Sequence, residues 1–388
     1  MRILHCFRAP VGGLFRHVLD LAEEQASRGH DVGILAGNTI EDRLTAKKFA
    51  ALAPKLTLGI SRIPMKRMPG LGDFAAVHAA FRHAGELDLD VIHGHGAKGG
   101  AYARLASYGL SVSGRDVKSF YTPHGGSLNF KPGTLESKLL LSVERNLDSM
   151  TTGLIFESQY AAQKYASHVG ILDAPQRVIP NGLAAQDFIR AVPNADATDV
   201  LFIGELRQIK GVDVLLKAVA QLRPLRAVTA TIVGSGPDGE ALRAMATSLD
   251  LSDIVHFAGA MPARDAFKLG RVMVVPSLAE SFPYVVLEAS AAGLPLISTD
   301  VGGIPEIVAG TDTRLIEPGS VDALTFALTD TLGDIDAARD RANRVRAQVE
   351  KKFTVSAMTK AVLDFYGEAA IRRTRLPLRV PKLMGQRS

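Results

Sequence analysis

The chain of 388 residues has one cysteine, Cys6, and no tryptophan. A single thiol excludes an internal disulfide and a cysteine-based zinc site. Cys6 sits in an apolar first strand, where it reads as a buried bystander and not a nucleophile. Aromatic residues are only 6% of the chain. No basic–aromatic motif occurs, which argues against nucleic acid as a partner. No apolar run approaches the ~20 residues needed to cross a bilayer. The start, Met1-Arg-Ile-Leu-His-Cys6, leads straight into a charged helix and does not resemble a secretory signal. Together these absences predict a cytoplasmic protein.

What is present describes a globular chain, with 47% hydrophobic and 22% charged residues. The length exceeds one typical core and predicts two domains. The net charge of +5 is unevenly spread. Residues 371–388 carry Arg372, Arg373, Arg375, Arg379, Lys382 and Arg387 and no acid, so the remainder is near neutral. Such a tail suits either a solvated end or peripheral contact with an anionic membrane, where each cation adds ~1 kcal/mol.

Short β-runs alternate with helical patterns from end to end. In the first half the strands are Arg2–Phe7, Val32–Ala36, Val91–His93, Ser119–Thr122, Leu154–Glu157 and Arg177–Pro180. In the second they are Val200–Gly204, Ala230–Gly234, Ile254–Ala258, Val272–Pro276, Leu296–Thr299 and Arg314–Ile316. Most are apolar on both faces, as buried parallel strands are. Alternating βα units predict an α/β protein of two parallel sheets covered by helices. The expected division is an N-terminal Rossmann-like domain over 1–188, a linker over 189–199 and a second such domain over 200–352. A helix over 353–370 and the basic tail 371–388 follow. Segments 59–72 and 127–136 are expected to be loops that shape specificity.

In open α/β sheets ligands bind beyond the carboxyl ends of the strands, so residues just past strands are the candidates. The most informative is Glu280-Ser-Phe-Pro-Tyr-Val-Val-Leu-Glu288, which runs from a strand into a helix expected at Leu287–Ala292. The first N–H groups of a helix lack intrahelical acceptors and favour anions, while flanking carboxylates accept from hydroxyls. A sugar nucleotide combines both needs. Glu280 and Glu288 are too far apart along the chain for a glycosidase pair and suit separate hydroxyls. Arg207 and Lys210, three residues apart after a strand, suit a diphosphate, one as a planar fork and one as a point charge. Gly12-Gly13 permits close approach of backbone to phosphate, although a plain tight turn explains it better when taken alone. His124 follows a strand and can donate to phosphate or sugar or move a proton. His93-Gly-His95 forms a similar cluster, without the carboxylates of a matching metal site. Asp88-Leu-Asp90 precedes a strand and reads as a solvated turn.

These pieces together resemble the retaining nucleotide-sugar glycosyltransferases of family four, which have the GT-B fold. The resemblance rests on Gly12-Gly-Leu-Phe-Arg-His17, Ser27-Arg-Gly-His-Asp-Val32, Asp90-Val-Ile-His-Gly-His95, Thr122-Pro-His-Gly125 and Ile179-Pro-Asn-Gly182. In the second half it rests on Gly204 to Gly211, the Glu-x7-Glu spacing at 280–288 and Val301-Gly-Gly-Ile-Pro-Glu306. It implies two Rossmann-like domains whose parallel sheets face across a cleft, with the last helix crossing back to the first domain. It also implies roles. Arg207 and Lys210 hold the donor diphosphate, and Glu288 holds the ribose. Glu280 and the N–H groups of Ser281 and Phe282 contact the transferred sugar. Gly12 and Gly13 approach the diphosphate, and His124 lies near the reacting carbon. The family usually needs no metal and no cofactor beyond its UDP- or GDP-sugar co-substrate. The expected reaction moves a hexose-type sugar to a hydroxyl of a glycan or lipid-linked acceptor in bacterial surface polysaccharide synthesis, at the inner face of the plasma membrane. A sugar-nucleotide epimerase and a non-catalytic sugar-nucleotide-binding protein are the alternatives.

Overall fold

The computed structural model describes residues 1–39, 43–125, 135–170 and 173–374. Residues 127–134 of the expected 127–136 loop, and residues 375–388 of the basic tail, lie outside them. The chain forms two compact units, one of Met1–Gly182 with Val355–Ser388 and one of Leu183–Thr354. The division falls ahead of the segment read as a linker.

The first unit begins β1 (Arg2–Phe7), α1 (Gly12–Ser27), β2 (Asp31–Gly37), α2 (Arg43–Leu52), β3 (Gly59–Ile63), α3 (Gly72–Glu86) and β4 (Val91–His95). It continues with α4 (Gly96–Val112), β5 (Lys118–Thr122), α5 (Leu135–Asp148), β6 (Gly153–Phe156), α6 (Gln159–Val169) and β7 (Gln176–Val178). The seven strands form a parallel sheet in the order β3-β2-β1-β4-β5-β6-β7. β1 is buried from Ile3 to Phe7 and lies inside the sheet between β2 and β4, as suits an apolar strand covered on both faces. β3 corrects the sequence reading, because Gly59–Ile63 is a strand and not a loop, and Gly72 already opens α3. All five residues of β3 are half-buried, as suits a sheet edge, and its Ser61 and Arg62 hide the strand signal.

The second unit comprises β8 (Thr198–Ile203), α7 (Val212–Leu222), β9 (Ala230–Val233), α8 (Gly239–Ser248), β10 (Val255–Gly259), α9 (Ala263–Ala266) and β11 (Gly270–Val275). Then come α10 (Tyr284–Ala292), β12 (Leu296–Thr299), α11 (Ile304–Val308), β13 (Leu315–Ile316), α12 (Val321–Gly333) and α13 (Ile335–Lys352). Its six parallel strands run β10-β9-β8-β11-β12-β13. α7 shows why the sheet is stable on one side. Val212, Leu215, Leu216, Val219 and Leu222 recur at helical spacing and are buried against Val200, Phe202 and Ile232 of β8 and β9. α10 packs on the other side, where Val286, Leu287, Ala289 and Ala291 are fully buried.

The final helix, α14 (Val355–Thr374), belongs to the first unit. Phe365 and Tyr366 pack their rings on Phe120 of β5. Arg28, after α1, donates to the Ser356 carbonyl at 2.8 Å. No helix among the described residues is long and apolar enough to cross a membrane.

Candidate functional site

Both sheets reverse strand order at one point, between β1 and β4 and between β8 and β11. Loops leaving the carboxyl ends there diverge and leave a crevice for a ligand. In the second unit the loop after β8 carries Arg207 and Lys210, and the loop after β11 carries Glu280. The structure brings these loops together. Leu278 donates its backbone N–H to the Ile209 carbonyl at 2.8 Å. Lys210 Nζ donates to Glu280 Oε1 at 2.6 Å, and Ser277 Oγ donates to the same oxygen at 2.8 Å. The Thr299 hydroxyl at the end of β12 donates to the Ser277 carbonyl at 2.6 Å. Three loops, seventy residues apart at the Lys210–Glu280 pair, thus form one rigid rim.

Two glycines make that rim as tight as it is. Gly211 has φ +67°, and a Cβ there would lie 2.0 Å from the Pro276 carbonyl oxygen. Gly302 has φ +62°, and a Cβ there would lie 2.0 Å from the carbonyl oxygen of Glu280. Only glycine satisfies both the left-handed backbone and the close approach.

The two cations expected to hold a diphosphate differ in their surroundings. Lys210 is paired with Glu280, whose side chain is only 10% exposed. Arg207 is half-exposed and lies 3.7 Å from Glu205. An ammonium has three donors and Glu280 takes one, so Lys210 keeps donors for a ligand oxygen. Phe282 is buried in the core, ring to ring with Phe353, which leaves its backbone and not its ring available at the turn. Ser281 accepts from the Gly303 N–H at its carbonyl, 2.6 Å away. α10 opens at Tyr284, one turn earlier than read, and Glu288 is half-buried within it.

In the first unit, Gly12 (φ +61°) and Gly13 are exposed at the start of α1, and no atom lies within 4 Å of a Cβ built on Gly12. Sequence reading marked His93, His95 and His124 but missed that His5 and His17 join them in a group of five histidines at the carboxyl end of this sheet. His5 of β1 is the register partner of His93 of β4, and His95 ends β4. His17 projects from α1, and His124 follows β5 with the positive φ of +51°. Such a backbone costs a non-glycine residue energy and is held by its surroundings. All but His124 are fully buried, and His124 is half-buried.

Hydrogen bonds set the protonation of these rings. His5 Nε2–H donates to Gln25 Oε1 at 2.8 Å, so His5 Nδ1 accepts from His95 Nε2–H at 3.0 Å. His95 Nδ1 then accepts from His124 Nε2–H at 3.0 Å. His17 Nδ1–H donates to Asn181 Oδ1 at 2.9 Å. His93 is held by Tyr366 Oη at 2.6 Å and Thr122 Oγ1 at 2.9 Å. Burial disfavours the imidazolium throughout. It lowers His5 to about 4 against the opposing bond to Gln25. It lowers His17 to about 3, with help from the neighbouring His124. It lowers His124 itself to about 3 and holds His93 and His95 well below their ordinary value. The rings are therefore neutral at pH 7. Cys6, beside them in β1, is pushed up to about 12 by burial and is inert. Asp90 lies at the opposite end of the sheet and accepts from the Arg2 N–H at 2.7 Å.

Residues 11–186 match the family described as Glycosyltransferase Family 4, and residues 197–334 match Glycosyl transferases group 1. The chain belongs to these GT-B glycosyltransferases. It is similar to the D-inositol 3-phosphate glycosyltransferase of Acidothermus cellulolyticus, at 27% identity over 96% of this chain and 90% of the relative. It is also similar to the glycogen synthase of Mycobacterium tuberculosis, at 28% identity over 95% and 93%. Among solved structures, Anabaena HepE in complex with UDP superposes with a TM-score of 0.78 at 21% identity, covering 95% of this chain and all of that one. As a glycosyltransferase, the protein transfers a sugar from a nucleotide-sugar donor to an acceptor.

Proposed function

We propose that the enzyme moves a hexose-type sugar, with retention of anomeric configuration, from a UDP- or GDP-sugar to a hydroxyl of a glycan or lipid-linked acceptor, in bacterial surface polysaccharide biosynthesis. The unit of Leu183–Thr354 is the donor side and the unit beginning at Met1 is the acceptor side. The observation that carries this is the Lys210–Glu280 pair at the strand-order reversal of the second sheet, 2.6 Å long and fixed by three converging loops. That HepE is solved with UDP, and in another structure with UDP-glucose, supports UDP as the donor nucleotide.

In this reading Lys210 and Arg207 neutralise the negative charge that builds on the departing diphosphate. Such preorganised stabilisation is commonly the largest catalytic term. Glu280 orients the Lys210 ammonium through Oε1 and keeps Oε2 for a hydroxyl of the transferred sugar, beside the N–H groups of Ser281 and Phe282. Glu288 binds the ribose. Gly12 and Gly13 let backbone approach the diphosphate, and His124 contacts the sugar near the reacting carbon. The acceptor hydroxyl attacks from the face the diphosphate leaves, and the leaving phosphate oxygen takes its proton. No metal or further cofactor enters these steps. The basic tail 371–388 adds peripheral contact with anionic lipid at the cytoplasmic face of the plasma membrane.

Lys210→Ala and Glu280→Ala, made separately, test the assignment. Each should lower acceptor-dependent release of nucleoside diphosphate by at least 100-fold with an unchanged circular dichroism spectrum. Near-normal turnover in both variants rejects it. Formation of a new sugar nucleotide without any acceptor rejects transfer in favour of epimerisation.

A further inference from the structure

We propose that His17, His95 and His124 form a binding site for one divalent transition-metal ion of the zinc type, in which His17 and His95 have no role in sugar transfer and His124 is shared with the sugar contact proposed above. One ring nitrogen of each lies within 4.8 Å of the others. The hydrogen bonds identify which nitrogens these are. His17 gives its Nδ1 proton to Asn181, so its Nε2 carries a lone pair. That Nε2 is buried and has no hydrogen-bond partner among the described residues. His95 gives its Nε2 proton to His5, so its Nδ1 carries a second lone pair. His124 Nε2 stands 3.0 Å from His95 Nδ1, and the His17 and His124 rings meet edge to face at 4.8 Å. A single N–H on His124 can satisfy one of the two converging lone pairs and not both.

A cation satisfies all three. Zinc takes imidazole nitrogen at ~2.0–2.1 Å with tetrahedral geometry, and three histidines with one open position form a recurrent donor set. Ligating histidines almost always give the other ring N–H to an acceptor that fixes the tautomer. His17 does so to Asn181, and His95 does so to His5, which passes the same constraint to Gln25. On binding, the His124 proton moves from Nε2 to Nδ1, so the ligand set stays neutral and no proton is lost. The half-buried side of His124 is the route of entry.

A second triad, His5, His93 and His95, also brings one ring nitrogen of each within 4.8 Å of the others. It is the weaker candidate, because both nitrogens of His93 and both of His5 already have partners. The two triads share His95 and differ at His124, which decides the test.

The metal-stripped full chain is titrated with Co2+ at pH 7.5 and followed by the visible d–d bands of tetrahedral cobalt, with bound metal counted by mass spectrometry after gel filtration. One equivalent is expected, displaced by Zn2+. His124→Asn should abolish it, since asparagine tolerates the positive φ and the fold survives. His17→Gln should lower it at least tenfold. His256→Asn, on the exposed face of β10, should leave it unchanged. The proposal is overturned if the wild type holds no stoichiometric metal. It is equally overturned if folded His124→Asn still binds one equivalent, which assigns the ion to the other triad, or if His256→Asn abolishes binding. None of these outcomes depends on sugar transfer, so the site stands or falls apart from the donor assignment.

Discussion

Acidification from pH 7.5 to 5.5 should destabilise this protein far more than its sequence composition suggests. The four fully buried imidazoles, His5, His17, His93 and His95, are held neutral in the fold by desolvation, two of them at about 4 and about 3. In the unfolded chain each titrates near 6.5. Between that value and the folded one the unfolded state binds more protons, so stability is present above about pH 6.5 and is lost as the pH falls below it. At pH 5.5 an unfolded imidazole is about nine-tenths protonated, which costs the fold about 1.4 kcal/mol per ring. Four rings give a loss of about 5 kcal/mol, a large part of the 5–15 kcal/mol that holds a typical domain together. His124, also lowered to about 3, adds to the same loss. Carboxylates scarcely titrate in this window. The measurement is urea unfolding at pH 7.5, 6.5 and 5.5 in the presence of a chelator, read by circular dichroism and by near-ultraviolet tyrosine absorbance. A fall of less than about 1 kcal/mol across the range, or one that begins only below pH 5, would refute the claim that these rings are buried and neutral.

Three further outcomes follow from particular contacts. Gly302→Ala forces a Cβ to 2.0 Å from the Glu280 carbonyl, so the turn that carries Glu280 must shift. Turnover should fall on the order of 100-fold, while Gly333→Ala at the end of α12, whose new Cβ meets nothing within 4 Å and needs no left-handed backbone, should leave turnover near normal in the same assay. Arg104 and Glu144 form a buried ion pair at 2.7 Å, with Tyr121 and Tyr165 donating to the same carboxylate. Glu144→Gln leaves the guanidinium uncompensated and should cost about 3–5 kcal/mol in urea unfolding, and a loss under 1 kcal/mol would show that the pair is solvated. Deleting residues 371–388 should weaken sedimentation with anionic vesicles and leave turnover on a soluble acceptor intact, and unchanged sedimentation would remove the membrane contact.

The sequence legibly carried those features whose signal is local. Apolar runs ending in Gly, Pro, Ser or Asp marked twelve of the strands, because a strand buried on both faces leaves no alternation to confuse. β3 escaped because edge strands are half-buried, and Ser61 and Arg62 look like loop residues until β2 is known to lie beside them. The start of α10 was misplaced by one turn, since Tyr284-Val-Val286 is as good a strand as a helix and only Pro283 before it signals a helix start. The same division holds for the site. Arg207, Lys210 and Glu280 stand out one at a time as candidates, since each sits just past a strand. Their pairing could not, because it joins positions 210 and 280 through the adjacency of β8 and β11, a property of the whole sheet. His5 and His17 left no trace for the same reason. One lies within an apolar strand and the other on a helix face, and each alone passes for a satisfied core histidine. Their chemistry arises from strand order. Placing β1 against β4 sets His5 opposite His93 and brings His95 to the same end, across a connection of more than eighty residues. The usable clue was the strand ends, since His93, His95 and His124 lie on or just past two neighbouring strands, β4 and β5. A cluster of titratable side chains spread over several apolar elements therefore points to a shared site once the strand order is known, even where each residue taken singly looks like core.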